Sequence, residues 1–91
     1  METRRRVDSS RIAALAALAR ARRERLKLRQ EEVADLAGCS ERFVHSLENG
    51  KSTVRLDKVL DVLEVLGLAL RVVPGHGEVI GGDVDREERS S

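Results

Sequence analysis

Aromatic side chains are almost absent from this chain: one Phe, no Trp and no Tyr in 91 residues. That excludes a large aromatic core. It also excludes binding of single-stranded DNA or RNA by base stacking, which needs aromatic platforms. Cysteine is as scarce. The single Cys39 has no partner for an internal disulfide, which fits a reducing, cytoplasmic setting. Between Gly38 and Ser40 it reads as core filler rather than as a nucleophile or ligand. No apolar run approaches the roughly 18 residues of a membrane span. Enzymatic signatures are missing too: there is no glycine-rich phosphate loop, no Cys/His pair at metal spacing and no paired-carboxylate pocket. His45 and His76 lie far apart, and Glu31-Glu32 and Glu87-Glu88 read as solvated faces. The expectation is a chain with no catalytic residue, no metal, no cofactor and no membrane partner.

What is present is charge, unevenly spread. Charged residues make up 36% of the chain, yet the net charge is only +1. Residues 1–29 hold ten Arg/Lys against three Asp/Glu, and residues 30–91 hold seven against thirteen. A basic end and an acidic end suggest that one surface meets phosphate. The plainer account is a solvated helix with a flexible arm. The length permits one small domain. The start, METRRRVDSSRIAALAALAR, superficially mimics a signal peptide. Its apolar part is alanine-rich and runs straight into RARRERLKLR without a convincing cleavage site. The Ile12, Leu15, Ala16, Ala19 spacing suits a packed amphipathic helix better.

Helical spacing organises the rest. Residues 1–8 are expected to be a basic arm, and Ser9 or Ser10 to cap a helix that runs to about Leu26. The second helix covers about 30–37, with Val33, Ala34, Leu36 and Ala37 as its apolar stripe. Gly38 suits the left-handed turn of a helix exit, and Ser40 is a good N-cap for a third helix over about 41–48. There Phe43, Val44 and Leu47 face inward, while Glu41, Arg42, His45 and Ser46 are left outside. A fourth helix spans about 56–66, with Leu56, Val59, Leu60 and Leu63 inward at i, i+3, i+4, i+7. Val62, Val65 and Leu66 then widen its apolar surface beyond one face, as at a partner site. Residues 68–73 read as a strand with no partner strand in the chain, which suggests antiparallel pairing with a second copy. An extended tail is the plainer alternative. After Pro74 the composition is that of a disordered tail, 74–91.

Residues 28–50, LRQEEVADLAGCSERFVHSLENG, are thus two short helices around a tight turn. They resemble the helix-turn-helix of the Xre/Cro/C1 family of bacterial and phage regulators. The resemblance lies in Leu28-x-Gln30-Glu31-x-Val33-Ala34, Gly38-Cys39-Ser40 and Val44-x-x-Leu47-Glu48-Asn49-Gly50. Residues 51–73, KSTVRLDKVLDVLEVLGLALRVV, are similar to the end of the HipB-like antitoxin subgroup: a fourth helix, Leu-Gly-Leu and a short apolar strand. The likeness covers roughly residues 10–73. It implies an all-α, lambda-repressor-like domain of four main helices over 9–73, with a C-terminal strand shared across a homodimer. Arg29 and Arg55 depart from the pattern, because each stands where a small polar residue would cap the next helix. A missing cap costs about 1 kcal/mol.

The expected reading face follows from chemistry. Gln30 can offer an amide to a phosphate at a helix start, as the matching glutamine does in Xre-type proteins, and Arg29 can reach one. Ser40, Glu41, Arg42, His45 and Ser46 sit on the helix that would enter the major groove. Arginine can bond guanine bidentately, and glutamate can accept from cytosine N4. Glu41 serves equally to stabilise the helix start, and His45 as plain surface. Lys51 and Ser52 are plausible phosphate contacts. Val62, Val65, Leu66, Leu68, Leu70 and Val72 are the expected dimer seam. The function implied is a HipB-like antitoxin: a bacterial, nucleoid-associated homodimer that binds an inverted-repeat operator in double-stranded DNA, represses its own operon and neutralises a HipA-like serine/threonine kinase toxin. The alternatives are a solitary Xre-type repressor and a protein-binding enzyme inhibitor with little DNA affinity.

Overall fold

A computed structural model describes residues 2–81, with side chains from residue 11 onward. Its elements in chain order are α1 (Glu2–Arg25), α2 (Gln30–Ala37), α3 (Glu41–Glu48) and α4 (Leu56–Val65). The three short helices fall where sequence spacing puts them. α1 differs: its backbone is helical from Glu2, so the caps expected at Ser9 or Ser10 lie inside it, and the segment expected as an arm is helical from Glu2 on. Neither glycine nor proline interrupts residues 2–25, and arginine and alanine propagate a helix well.

α1 ends on Lys27, whose φ of 60° is left-handed. Leu28 N–H bonds Arg23 O at 3.1 Å, which closes the turn. Gly38 does the same for α2 at φ 72°, with Cys39 N–H on Ala34 O at 3.0 Å. Glycine takes that conformation without strain, whereas Lys27 pays for it.

The core joins all four helices. Ala16 and Ala19 of α1, Val33 and Ala34 of α2, Val44 and Leu47 of α3, and Val59, Val62 and Leu63 of α4 with Leu66 are buried. Leu15, Leu28, Phe43, Val54 and Leu68 pack around them. Among the described residues none that is buried as a whole residue, backbone included, is polar. Small alanines let α1 sit close, and the branched residues opposite fill the space.

Three expectations are corrected. Leu36 is exposed, so the α2 stripe narrows to Val33, Ala34 and Ala37. α4 is rotated from its expected face. Leu56 and Leu60 are 61% and 41% exposed, while Val62 and Leu66, assigned to a dimer seam, are each 1% exposed. The two faces, 56/59/60/63 and 59/62/63/66, both fit helical spacing and differ by about 60° of rotation. The second is chosen where Leu66 closes on α1, its carbonyl accepting from Arg22 Nε at 2.8 Å. Last, residues 68–73 form no strand. Leu68 still caps α4, its N–H on Leu63 O at 2.8 Å, and packs on the core. Beyond it no other segment among the described residues supplies an edge to pair with.

Of the expected tail, residues 74–81 carry no regular structure and 82–91 lie outside the described residues. At Gly81 the backbone runs against α1, so near Leu18 that an added Cβ would meet its Cδ1 at 2.5 Å. Among the described residues, no helix is long and apolar enough to cross a membrane.

Candidate nucleic-acid interface

The candidate reading helix is α3, and its sequence decides which side is free. Val44 and Leu47 are buried one turn apart and Phe43 is half-buried beside them. That leaves Glu41, Arg42 and His45 exposed and Ser46 half-buried. Ser40 caps the helix, its Oγ accepting from Phe43 N–H at 3.0 Å. A hydroxyl that accepts there still has a proton to donate. Asn49 ties the other end, Nδ2 donating to His45 O at 2.8 Å. Lys51 and Ser52 follow, both exposed.

α2 brings Arg29 and Gln30 beside this helix. Arg29, in the N-cap position, makes no side-chain cap of its own. The expected loss is met from the other direction: Glu32 accepts the Arg29 N–H at 2.8 Å, one half of a capping box. That bond, with the charge of the Arg29 guanidinium 3.6 Å away, holds the Glu32 carboxyl below its usual value. α4 solves the same problem locally. Asp57 accepts the Lys58 N–H at 2.8 Å and pairs with Arg55 at 2.8 Å, so Asp57 does the work a cap at 55 would do.

The main feature that sequence reasoning missed lies beneath this face. The side chain of Glu48, at the end of α3, is 5% exposed and faces that of Arg23 in α1, 13% exposed, although both residues are half-buried as a whole. Arg23 grips it with two donors, Nε to Oε2 at 2.6 Å and Nη2 to Oε1 at 3.0 Å. A third donor, Nη1, holds Leu28 O at 2.8 Å. Gln30 Nε2 then adds a bond to Glu48 Oε1 at 3.0 Å. Burial opposes ionisation of Glu48, yet the bonds from Arg23 and Gln30 and the Arg23 charge keep its carboxyl below the ordinary value. The one available signal was spacing, since Glu48 stands four residues after buried Val44, on the flank of the inward stripe.

A shallow depression beside the helix-turn-helix turn is lined by Gly38, Cys39, Ser40, Phe43, Arg55 and Lys58. Lys58 Nζ donates to Gly38 O at 3.2 Å, which satisfies the end of α2. Burial pushes the Cys39 thiol up, against the opposing charge of Lys58. Cys39 is half-buried and packs against the core.

Of the expected contact residues, Arg29, Ser40, Glu41, Arg42, His45, Lys51 and Ser52 are exposed and Gln30 and Ser46 half-buried. They lie in three neighbouring segments: the start of α2, the outer side of α3, and the loop after it. Of the expected seam, Val62 and Leu66 belong to the monomer core, Val65 and Leu68 are half-buried against it, and Leu70 and Val72 are exposed.

Residues 14–73 match the family model described as a helix-turn-helix domain. Over 65 residues the chain is 44% identical to an uncharacterized HTH-type transcriptional regulator, y4mF, from Sinorhizobium fredii (strain NBRC 101917 / NGR234). That match covers 70% of this chain and 86% of the relative.

Proposed function

This chain belongs to the helix-turn-helix domain family, and we propose that it is a sequence-specific DNA-binding transcription regulator that acts as a repressor. The carrying observation is α3: anchored by Val44 and Leu47, capped by Ser40, and presenting Glu41, Arg42 and His45 to solvent. A helix so held enters the major groove by its first residues. Arg42 then reads guanine O6 and N7, while Gln30, Lys51 and Ser52 bond phosphates and set the register. The relative's printed name as a transcriptional regulator supports the same reading.

The finer reading is a homodimer on an inverted repeat, working as a HipB-like antitoxin with a HipA-like kinase as its partner. Exposed apolar residues support a partner surface: Leu70, Val72 and Val73 after α4, and Leu56 and Leu60 along it. Val62 and Leu66 have no part in that surface.

The test is selection from a random duplex pool, followed by anisotropy titrations at several salt concentrations. An inverted repeat should emerge, its half-sites about 34 Å apart. On that duplex Arg42→Ala should lose roughly 1–3 kcal/mol and relax preference at one base pair. Lys51→Ala should weaken all duplexes alike and make the salt dependence shallower. A pool with no enriched sequence would remove the regulator reading. A kinase encoded next to this chain that fails to co-purify on co-expression would remove the antitoxin reading alone.

A further inference from the structure

The regulator reading uses Gln30 as a phosphate donor but gives no task to the carboxylate beneath it. Glu48 accepts three hydrogen bonds, two from Arg23 and one from Gln30. Through Arg23 Nη1 the same group reaches Leu28 O in the α1–α2 linker. One side chain therefore ties together the end of the reading helix, the start of α2 and the segment that leads into it.

A carboxylate only accepts, so the side of the Gln30 amide turned toward Glu48 must be its NH2. That settles which way the amide faces. It also spends one of the two N–H groups, and because the amide is planar, the direction of the other is then set. Phosphate oxygens accept and do not donate, so this second N–H is the one side-chain donor Gln30 has left for them. Without Glu48 the amide is free to rotate or turn over.

We propose that Glu48 is a positioning residue for DNA binding: it aims the remaining Gln30 N–H at a backbone phosphate and holds that contact in fixed register with the base-reading side of α3. Arg23 keeps the carboxylate ionised and in place. This proposal rests on the DNA-binding reading above and adds to it a role for a buried pair.

A double-mutant cycle tests it on a random-sequence duplex of about 20 base pairs, since a phosphate contact is independent of sequence. The background variant is Arg23→Met with Glu48→Met, which removes one charge of each sign and leaves the net charge unchanged. In the wild type, Gln30→Ala should weaken binding about three- to tenfold. The salt slope should stay the same, because a neutral amide releases no counterion. In the Met/Met background the same substitution should cost less than about twofold. Equal losses in both backgrounds, or no loss in the wild type, would overturn the proposal while leaving the regulator reading intact. A wild type that binds no duplex at all would overturn both.

A second measurement needs no variant. In the free wild-type protein one Gln30 side-chain NH2 proton, the one bonded to Glu48 Oε1, should exchange with water more slowly than an exposed glutamine's and resonate away from it, and the other should move when duplex is added. A Gln30 NH2 pair with the shifts and the fast water exchange of an exposed glutamine would equally refute the role.

Discussion

Removing the Glu48 carboxylate alone should damage this domain more than removing the whole ion pair. In Glu48→Ala, Arg23 keeps its bond to Leu28 O but loses both bonds to Oε1 and Oε2. Its side chain is 13% exposed, so water replaces little of what is lost. Breaking a buried pair by deleting one partner costs about 3–5 kcal/mol. A domain of this size has a total stability of about 5–14 kcal/mol, so the loss is about a fifth of the whole or more. At about 4–8 °C per kcal/mol, the melting temperature should fall by at least about 12 °C. Arg23→Met with Glu48→Met strands no charge and should be neutral or stabilising.

The same group has a pH signature. Because the fold lowers the Glu48 pKa, its stabilisation is fully present above the unfolded glutamate value, about 4.3, and is lost as pH falls through the lower folded value. Glu32, Asp57 and Glu78 are lowered as well and share that acid slope. The informative quantity is therefore the difference between wild type and Glu48→Gln. Thermal melts followed by circular dichroism from pH 7 down to about pH 3 should show the variant losing less stability on acidification. A Glu48→Ala protein within about 1 kcal/mol of wild type at neutral pH would refute the reasoning. Parallel acid slopes for wild type and Glu48→Gln would refute the linkage.

Other expectations are quickly checked by the same melts. Leu66→Ala should cost about 2–5 kcal/mol as a core truncation, and Leu60→Ala less than about 1 kcal/mol; the reverse order would restore the α4 face that spacing alone suggested. Lys27→Gly should stabilise by about 0.5–1 kcal/mol, because it relieves a left-handed lysine at φ 60°; a lower melting temperature would count against that conformation. Leu70→Asp should leave the monomer fold intact, as Leu70 is exposed, and should shift light scattering toward monomer if a second copy covers it; a tight dimer in this variant would place the seam elsewhere.

Local rules explain why α3 was legible and the Arg23–Glu48 pair was not. Gly38 as a left-handed exit, Ser40 as a cap and Val44 with Leu47 at helical spacing are each readable within about one turn of chain. Together they fix both the bounds of α3 and its free side. The same local spacing is degenerate in α4, where seven of eleven residues from 56 to 66 are apolar, so the choice between two faces falls to packing. Leu66 is drawn in where its carbonyl meets Arg22, 44 residues earlier. The strand read over 68–73 failed for a related reason: apolar alternation describes what a sheet would accept, while pairing needs an edge elsewhere. Glu48 is the clearest case. Its neighbours in sequence give a helix end followed by Asn49-Gly50, and a carboxylate there reads as surface. Its partners lie 25 and 18 residues away, and only the meeting of α1, α2 and α3 turns an unremarkable glutamate into the group that orients Gln30. The exposure of the residues expected to touch DNA was therefore within reach of the sequence, because exposure is the default that local burial leaves behind. The carboxylate that Gln30 bonds was not, because that bond needs three segments to meet at once.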